Sequence, residues 1–487
     1  KEYRRQRQMC IRDRLRPLRT SDGPPGSLPK QLRSLWDQLR SGSVRQILEG
    51  LDVYSLISET DPATADLLLT EVGVDAPSGT LILGNRFERV KEEANPHLLY
   101  ALLGLLSRSA LGSRGDLLRR ALRNLHARVP SLPELRGFDG LRRLELELAN
   151  HYSDPDGDVQ ASLEERFGAM PALEVLRIDG FYDLPINCLD GLDAPLLRDL
   201  EVAGIGLKDV EALRAHNNLQ RVVLRSNDEL CDLTPLLASM ACLKQLEISS
   251  TAVSDLGVLA HAGELEELEF SDCAEITSLQ GLEQLTVTGG RLMVNGLTKL
   301  TDLRFLPKPA DGDLSLCNLS CLTSLDGIES AANHITSLQI YSLGKLKDLR
   351  ALRQLQRLES LRISDCPQIT NLEVLAVLPC LKDLQVNECK KLSRLPALWP
   401  AGLERMVLEN CAITKLGGLP PTLIGSLNLI HCPKLSNLEG LEQCTNLSEI
   451  TIRPSVTNLQ ALATLPDLWI SIDFADAEHT LPDALID

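Results

Sequence analysis

Four acidic residues have the spacing of a calcium-binding loop, in which carboxylates at set positions coordinate the cation. They take positions 1, 3, 5 and 12 of such a loop and are Asp154, Asp156, Asp158 and Glu165. The turn requires glycine at position 6, but this chain has Val159 there and Gly157 at position 4. We therefore favour a solvated acidic loop at 151–165 over a calcium site.

The thirteen cysteines and eight histidines form no catalytic or metal-binding motif in the sequence. A zinc site would need paired ligands such as CxxC, which the chain lacks; Cys317 and Cys321 are the nearest approach to a pair and have no histidine nearby. The sequence also has no phosphate loop of the GxxxxGK[ST] or GxGxxG type, and no HExxH or GxSxG motif. We therefore predict that the chain is not an enzyme and uses no cofactor or metal.

A short aliphatic phrase recurs from about residue 141, and it predicts the elements that would position any site. Successive copies begin 24, 22, 24 and 22 residues apart from Leu173 to Leu265, and 23, 22, 21 and 23 apart from Leu358 to Leu447. In copies such as LKQLEIS, the fourth and sixth residues alternate with polar residues and so share one face of a short strand. Such a strand hides its apolar face only by stacking on its neighbours.

This phrase and its period resemble the leucine-rich repeat family. Later copies such as DCPQITNLEVLAVLPCLKDL look like the phosphatase-regulator or internalin type, and others resemble cysteine-containing repeats. The resemblance implies an α/β leucine-rich-repeat solenoid, with a curved parallel sheet and with short helices and turns on the convex side. It also implies an inward-pointing residue, eight positions into a repeat, that satisfies backbone groups where the strand ends. That structural ladder would be Asn227, Cys273, Cys366, Cys389, Cys411 and Cys432.

The resemblance also implies a concave surface, formed by the polar residue between the two core positions of each strand. This surface is acidic over 197–272 and mixed farther along the chain. The predicted partner-binding residues are Asp199, Glu201, Glu247, Glu266, Glu267, Glu269, Asp272, Arg362 and Gln385. These charges would select a basic segment of a protein partner. A solvated face that only keeps the array soluble explains the acidic residues equally well.

The remaining parts of the chain predict three segments. Residues 1–27 read as a disordered or artefactual tail, and residues 28–130 as a small helical domain, HEAT-like, that caps the array. Residues 131–487 form the repeat domain, with irregular repeats expected near 149–172 and 286–334.

The formal net charge of −17 argues against nucleic acid or an anionic membrane as the main partner. No run of about 18 apolar residues occurs. Buried unpaired thiols fit a reducing compartment, so we expect a cytoplasmic protein. These observations favour a non-catalytic protein–protein interaction scaffold. The alternative is a regulatory or spacer module of a larger protein whose catalytic or sensor part lies elsewhere.

Overall fold

The computed structural model describes residues 30–39, 43–70, 72–83, 96–148, 163–180, 189–289, 291–310, 312–417, 419–423, 425–453, 456, 459–465 and 468–472. The chain forms two compact units, residues 1–221 and 222–487. The predicted tail, 1–27, and the acidic residues Asp154, Asp156 and Asp158 lie outside the described residues, as does the side chain of Glu165.

The first unit begins with helices, whose starts are set by capping residues. The helices are Lys30–Leu39, Val44–Thr60, Pro62–Asp66, Pro96–Ser107 and Arg114–Ala121, with a 3₁₀ turn at Leu67–Leu69 and an antiparallel hairpin of Val72–Val74 and Leu81–Leu83. Asp61 caps the third helix by accepting a bond from the backbone N–H of Thr64, and Pro62 occupies its first turn. Helix Pro96–Ser107 is apolar on all sides and almost wholly buried, which makes it the centre of this part of the unit.

Four parallel strands follow in the first unit: Asn124–Val129, Arg143–Leu148, Val175–Asp179 and Asp199–Ala203. A short helix, Leu163–Arg166, and a 3₁₀ turn, Glu211–Ala215, lie between or after them. The end of the predicted helical domain, 28–130, is not helical: its last helix ends at Ala121, and the strand Asn124–Val129 begins soon after it. The reason is a change of period, because Leu125, Ala127 and Val129 alternate with polar residues and are buried.

The second unit contains a long parallel sheet. Arg221–Asn227 begins at the boundary of the units, and the strands after it are Gln245–Thr251, Glu267–Ser271, Arg291–Asn295, Asp313–Cys317, Ser337–Tyr341, Ser360–Ser364, Asp383–Asn387, Arg405–Glu409, Gly425–Asn428, Leu447–Ile452 and Trp469–Ile472. Each strand of this unit pairs with the next along the chain. This topology, together with the repeated core, is a leucine-rich-repeat solenoid.

The sequence predicts that the segment 286–334 is irregular, but in the structure it contributes regular strands to the sheet. It holds the two strands Arg291–Asn295 and Asp313–Cys317, which pair residue for residue with each other and with their neighbours. Gly289 occupies the first position of the phrase, where most copies have leucine, so the pattern is hard to recognise there. Its two core positions are intact, since Leu292 and Val294 are buried.

Turns and short 3₁₀ helices connect the strands of the second unit. The 3₁₀ helices are Thr234–Ser239, Gly257–His261, Ile328–Ala331, Arg350–Gln354, Glu373–Val377 and Gln460–Thr464, and a small parallel sheet is made of Glu264–Leu265, Thr286–Val287 and Lys308–Pro309. Several turns start with a side-chain cap. For example, Asp255 Oδ1 accepts the Gly257 N–H at 2.8 Å, and Asp348 Oδ1 accepts the Arg350 N–H at 2.9 Å.

Most strands of the second unit have a residue with left-handed backbone at or near their end. The residues at this position that are not glycine include Ser226, Ser250, Asp272, Asn318, Ser342, Asp365, Glu388, Asn410 and His431, with φ between 48° and 56°. The conformation turns the backbone so that its N–H bonds the next strand, as from Asp365 to the Asn387 carbonyl at 3.1 Å. Such a conformation costs roughly 1–2 kcal/mol for a residue with a side chain, and the gained bond offsets part of it.

Candidate interaction surface

The open face of the sheet is the side whose outward residues lie between the buried core positions. In the second unit its central column runs in register through Glu247, Glu269, Met293, Ser315, Gln339, Arg362, Gln385, Val407, Asn428 and Thr451. Neighbouring members of such a column are separated by one strand spacing, roughly 4.8 Å. This is the surface that the repeat pattern predicts, and its partner-binding role stays a prediction.

In the first unit the acidic residues of this face are held in a network of ion pairs. Arg177 lies 2.8 Å from Asp199 and 3.6 Å from Glu201, and it also contacts Glu145 at 3.4 Å. Arg221 lies 2.8 Å from Asp199 and 2.9 Å from Glu201. Burial acts to lower the pKa of Arg221, but its bonds to these two carboxylates outweigh that effect and raise the pKa. Asp199 and Glu201 are therefore already neutralised by their own unit.

The second unit carries an acidic patch, defined by Glu247, Glu266, Glu267, Glu269 and Asp272. Glu247 and Glu269 lie directly opposite each other on neighbouring strands, and Glu267 is two residues before Glu269 on the same face. Among the side chains that the structure describes, two cations contact the patch. Arg225 donates to both carboxylate oxygens of Glu247, with Nη2 to Oε2 at 2.6 Å, and Lys244 lies 2.8 Å from Glu266. Within these described side chains, five carboxylates face two cations, which gives an excess of negative charge.

A polar grid occupies the open face farther along the second unit, on three neighbouring strands in register. Its nine outward residues are Ser337, Gln339, Tyr341, Ser360, Arg362, Ser364, Asp383, Gln385 and Asn387. Eight are half-buried and Arg362 is exposed. All nine side chains can make hydrogen bonds, and the one positive and one negative charge cancel.

The residues of the structural ladder are all buried. The thiols of Cys273, Cys411 and Cys432 bond backbone carbonyls of their own strand and of the preceding repeat, and the side chains of Cys366 and Asn227 bond a carbonyl of their own strand. Cys411 Sγ, for example, lies 3.3 Å from the Glu409 carbonyl and 3.7 Å from that of Val386, and Asn227 Nδ2 lies 2.8 Å from the Arg225 carbonyl. Burial raises the pKa of Cys366 to about 12 and that of Cys389 to about 11, so these thiols stay protonated and unreactive.

The cations beside the acidic residues are the part of this surface that the sequence reasoning missed. Arg221 and Arg225 both sit on the strand Arg221–Asn227, two residues before and after Val223. Side chains two residues apart on a strand share one face, so these arginines flank the predicted column. The sequence could have identified these arginines, because the same core pattern that places Val223 on the open face also places residues 221 and 225 there. Met293 and Ser315 were missed because the segment 286–334 was expected to be irregular and was left out of the column.

Within the described ranges, no group of three or more histidine, cysteine or acidic residues is arranged to hold a metal ion. No helix in that part of the chain is long and apolar enough to cross a membrane. Two cavities, of about 560 and 360 Å³, are lined by residues of the turns such as Asp255 and Gln280 in one and Asp348 and Arg350 in the other. Neither cavity is lined by the outward residues of the sheet.

No protein-family model matches the chain, and no curated protein matches its sequence. Solved structures that it resembles include the internalin InlF from Listeria monocytogenes, at 16% identity over 77% of this chain and 94% of that one, with a TM-score of 0.33. The functional domain of InlJ from the same organism, described as including a cysteine ladder, is 17% identical over 71% of this chain and 72% of that one, with a TM-score of 0.37. Internalin C2, also from that organism, is 17% identical over 59% of this chain and 92% of that one, with a TM-score of 0.24.

Proposed function

We propose that the chain is a non-catalytic protein–protein interaction scaffold, and that its acidic patch binds a basic segment of a protein partner. The repeats serve as a rigid support, because their buried aliphatic core and paired strands fix the outward side chains in register.

One observation carries this proposal: the direct opposition of Glu247 and Glu269 on neighbouring strands, with Glu267 on the same face. Like charges placed directly opposite each other destabilise a sheet. An array that keeps them together gains from a cation that binds both. Arg225 offsets the negative charge of Glu247. Among the described residues, the Glu269 carboxylate accepts a hydrogen bond only from the neutral hydroxyl of Ser271, at 2.9 Å.

The first unit contributes less to this role. Its open-face carboxylates, Asp199 and Glu201, share the guanidinium groups of Arg177 and Arg221. A basic partner would have to displace these internal cations, so little free energy would be gained there. We therefore assign selection of the basic segment to the acidic patch.

The test compares capture of proteins from the native lysate by the parent chain and by the double variant Glu267→Lys, Glu269→Lys. The matched control is Glu373→Lys, Glu439→Lys, which makes the same change of charge at two exposed turn positions. We expect a protein with a basic segment to be retained by the parent and the control and lost by the patch variant. Equal retention by all three chains, each folded, would refute the role of the acidic patch.

A further inference from the structure

The polar grid on strands Ser337–Tyr341, Ser360–Ser364 and Asp383–Asn387 has hydrogen-bonding groups that the described residues leave unused. Within this part of the chain, the Arg362 guanidinium makes no ion pair, although it is exposed on the central column. The Oδ1 atom of Asn387 is shielded from solvent and has no hydrogen-bond partner. Because buried polar atoms are normally hydrogen-bonded, this acceptor is available to a donor from a ligand.

A hydrogen bond fixes the orientation of the Tyr341 ring in the grid. Tyr341 donates its hydroxyl to Gln339 Oε1 at 3.2 Å, along its own strand. Gln339 is directly opposite Arg362 on the next strand, so Tyr341 and Arg362 are diagonal neighbours. Diagonal neighbours on one face lie roughly 7–8 Å apart, within reach of aromatic and long side chains. The grid therefore pairs a half-buried aromatic ring with an unpaired guanidinium.

The ligand that fits this chemistry must be neutral, because Arg362 and Asp383 cancel and the other seven side chains are uncharged. It must offer both donors and acceptors, because amides and hydroxyls require both. It must also present an apolar face to the Tyr341 ring. Sugar rings combine these properties, since each carries hydroxyl groups around its edge and C–H bonds on its faces.

A peptide and a nucleic acid satisfy these demands less well. Hot spots for proteins are desolvated pockets rich in large aromatic side chains, whereas the grid is an open face whose nine residues include one aromatic side chain. Nucleic acid requires several cations along its backbone, and the grid has one. The grid is also open and spans three strands, roughly 10 Å across, which suits several linked sugars better than one.

We propose that the polar grid is a carbohydrate-binding site for a neutral oligosaccharide, separate from the acidic patch and independent of the proposed function. Tyr341 stacks on a sugar ring, Arg362 and Gln385 donate to ring-edge oxygens, and Asn387 Oδ1 accepts from a hydroxyl. Since the oligosaccharide can belong to a polysaccharide or be attached to a glycoprotein, the probes must represent both sources.

The experiment is calorimetric titration of the full chain with neutral probes. Linear hexasaccharides of β-1,4-glucose, β-1,3-glucose, α-1,4-glucose and β-1,4-N-acetylglucosamine represent polysaccharides, and a released mannose-rich branched glycan represents glycoproteins. We expect at least one probe to bind with Kd below about 1 mM. Binding of a linear probe indicates a polysaccharide, and binding of the branched probe indicates a glycoprotein.

Variants locate the bound sugar on the grid. Tyr341→Ala and Arg362→Gln should each raise Kd at least about tenfold, while Tyr341→Phe should retain most of the affinity because it keeps the ring. Thr451→Ala, on the same column but outside the grid, is the matched control and should bind like the parent. Arg362 is exposed, so its variant should fold even if Tyr341→Ala does not. The proposal is overturned if no probe binds, or if Arg362→Gln binds as tightly as the parent.

Discussion

Arg225 forms an ion pair with Glu247 of the neighbouring strand, at the edge of the acidic patch. The Arg225 Nη2 atom lies 2.6 Å from Glu247 Oε2. Arg225 therefore serves as an internal counterion on the surface that we propose for partner binding. A basic partner that approaches Glu247 has to compete with this guanidinium, whereas Glu267 and Glu269 have no recorded cationic partner in the described structure.

Removing this counterion should strengthen binding of a cation. We expect Arg225→Gln to bind an octa-arginine peptide about two- to tenfold more tightly than the parent at low salt, because it frees the Glu247 carboxylate. Fluorescence anisotropy at two salt concentrations would measure this, and the gain should shrink at high salt. Arg350→Gln, which breaks an arginine–aspartate pair in a turn, is the control. An equal gain in the control would show that the effect is one of net charge alone.

The half-buried Glu134 should be important for the stability of the first unit. It accepts two bonds from Arg108, at 2.6 and 2.5 Å, and lies 3.4 Å from Arg166. Glu134→Gln removes the carboxylate that Arg108 and Arg166 share and leaves Arg108 with the more exposed Asp52 as its described acidic partner, so we expect a loss of about 2–4 kcal/mol in the free energy of unfolding. Urea denaturation followed by circular dichroism would measure the loss. An unchanged midpoint would contradict the role that we assign to this network.

The same carboxylate predicts a pH dependence. Burial alone would raise the pKa of Glu134, but the bonds and charges of Arg108 and Arg166 outweigh burial and hold it below its ordinary value of 4.5. Ionised Glu134 therefore stabilises the fold above that pH, and this stabilisation is lost as the pH falls through the folded-state pKa. Glu134→Gln should show a weaker decline in melting temperature below pH 4.5 than the parent. Parallel declines in both chains would argue against this assignment.

The left-handed backbone near the end of the strand Gln245–Thr251 predicts a contrast between two substitutions. Ser250 has φ of 49°, which glycine adopts freely and a β-branched residue avoids. Ser250→Val should cost about 1–2 kcal/mol of unfolding free energy, while Ser250→Gly should be close to neutral. Differential scanning calorimetry of the two variants would measure the difference. Equal melting temperatures would mean that this turn relaxes without its left-handed conformation.

Burial predicts which thiols react. Cys366, Cys389, Cys411 and Cys432 are buried, whereas Cys231, Cys242 and Cys380 are exposed. Iodoacetamide should modify the three exposed cysteines in the native chain and reach the four buried ones only after unfolding in urea. Peptide mass spectrometry before and after denaturation would locate the modified residues. Modification of Cys411 in the native chain at the rate of Cys380 would contradict its place in the core.

The repeat fold could be predicted because it depends on a local pattern that is restated many times. In LKQLEIS the core positions Leu246 and Ile248 are both buried, and the same pair recurs in nearly every repeat. Where the pattern loses its first leucine, as at Gly289, the strand is present but could not be recognised from the phrase. The strand Asn124–Val129 was missed for a different reason, because it follows directly on an amphipathic helix that uses similar residues.

The electrostatics of the open face could be predicted only in part. The sequence shows which residues point outward, and hence that Glu201, Glu247 and Glu269 share a column in principle. It does not show which long arginine side chain reaches which carboxylate, because that choice depends on register and rotamer. Arg177 and Arg221 converge on Asp199 and Glu201 through contacts between strands about 22 residues apart along the chain.

The central claim, that the acidic patch contacts a basic partner, is tested most directly by site-specific photocrosslinking. A photoreactive benzoylphenylalanine at position 269 would report contact on the patch, and the same residue at position 373 would report contact on a turn. We predict that a crosslink in the native lysate forms from position 269, that mass spectrometry maps it to a Lys- or Arg-rich segment of one protein, and that position 373 gives no such product. Crosslinking of the partner from position 373 alone would contradict the account.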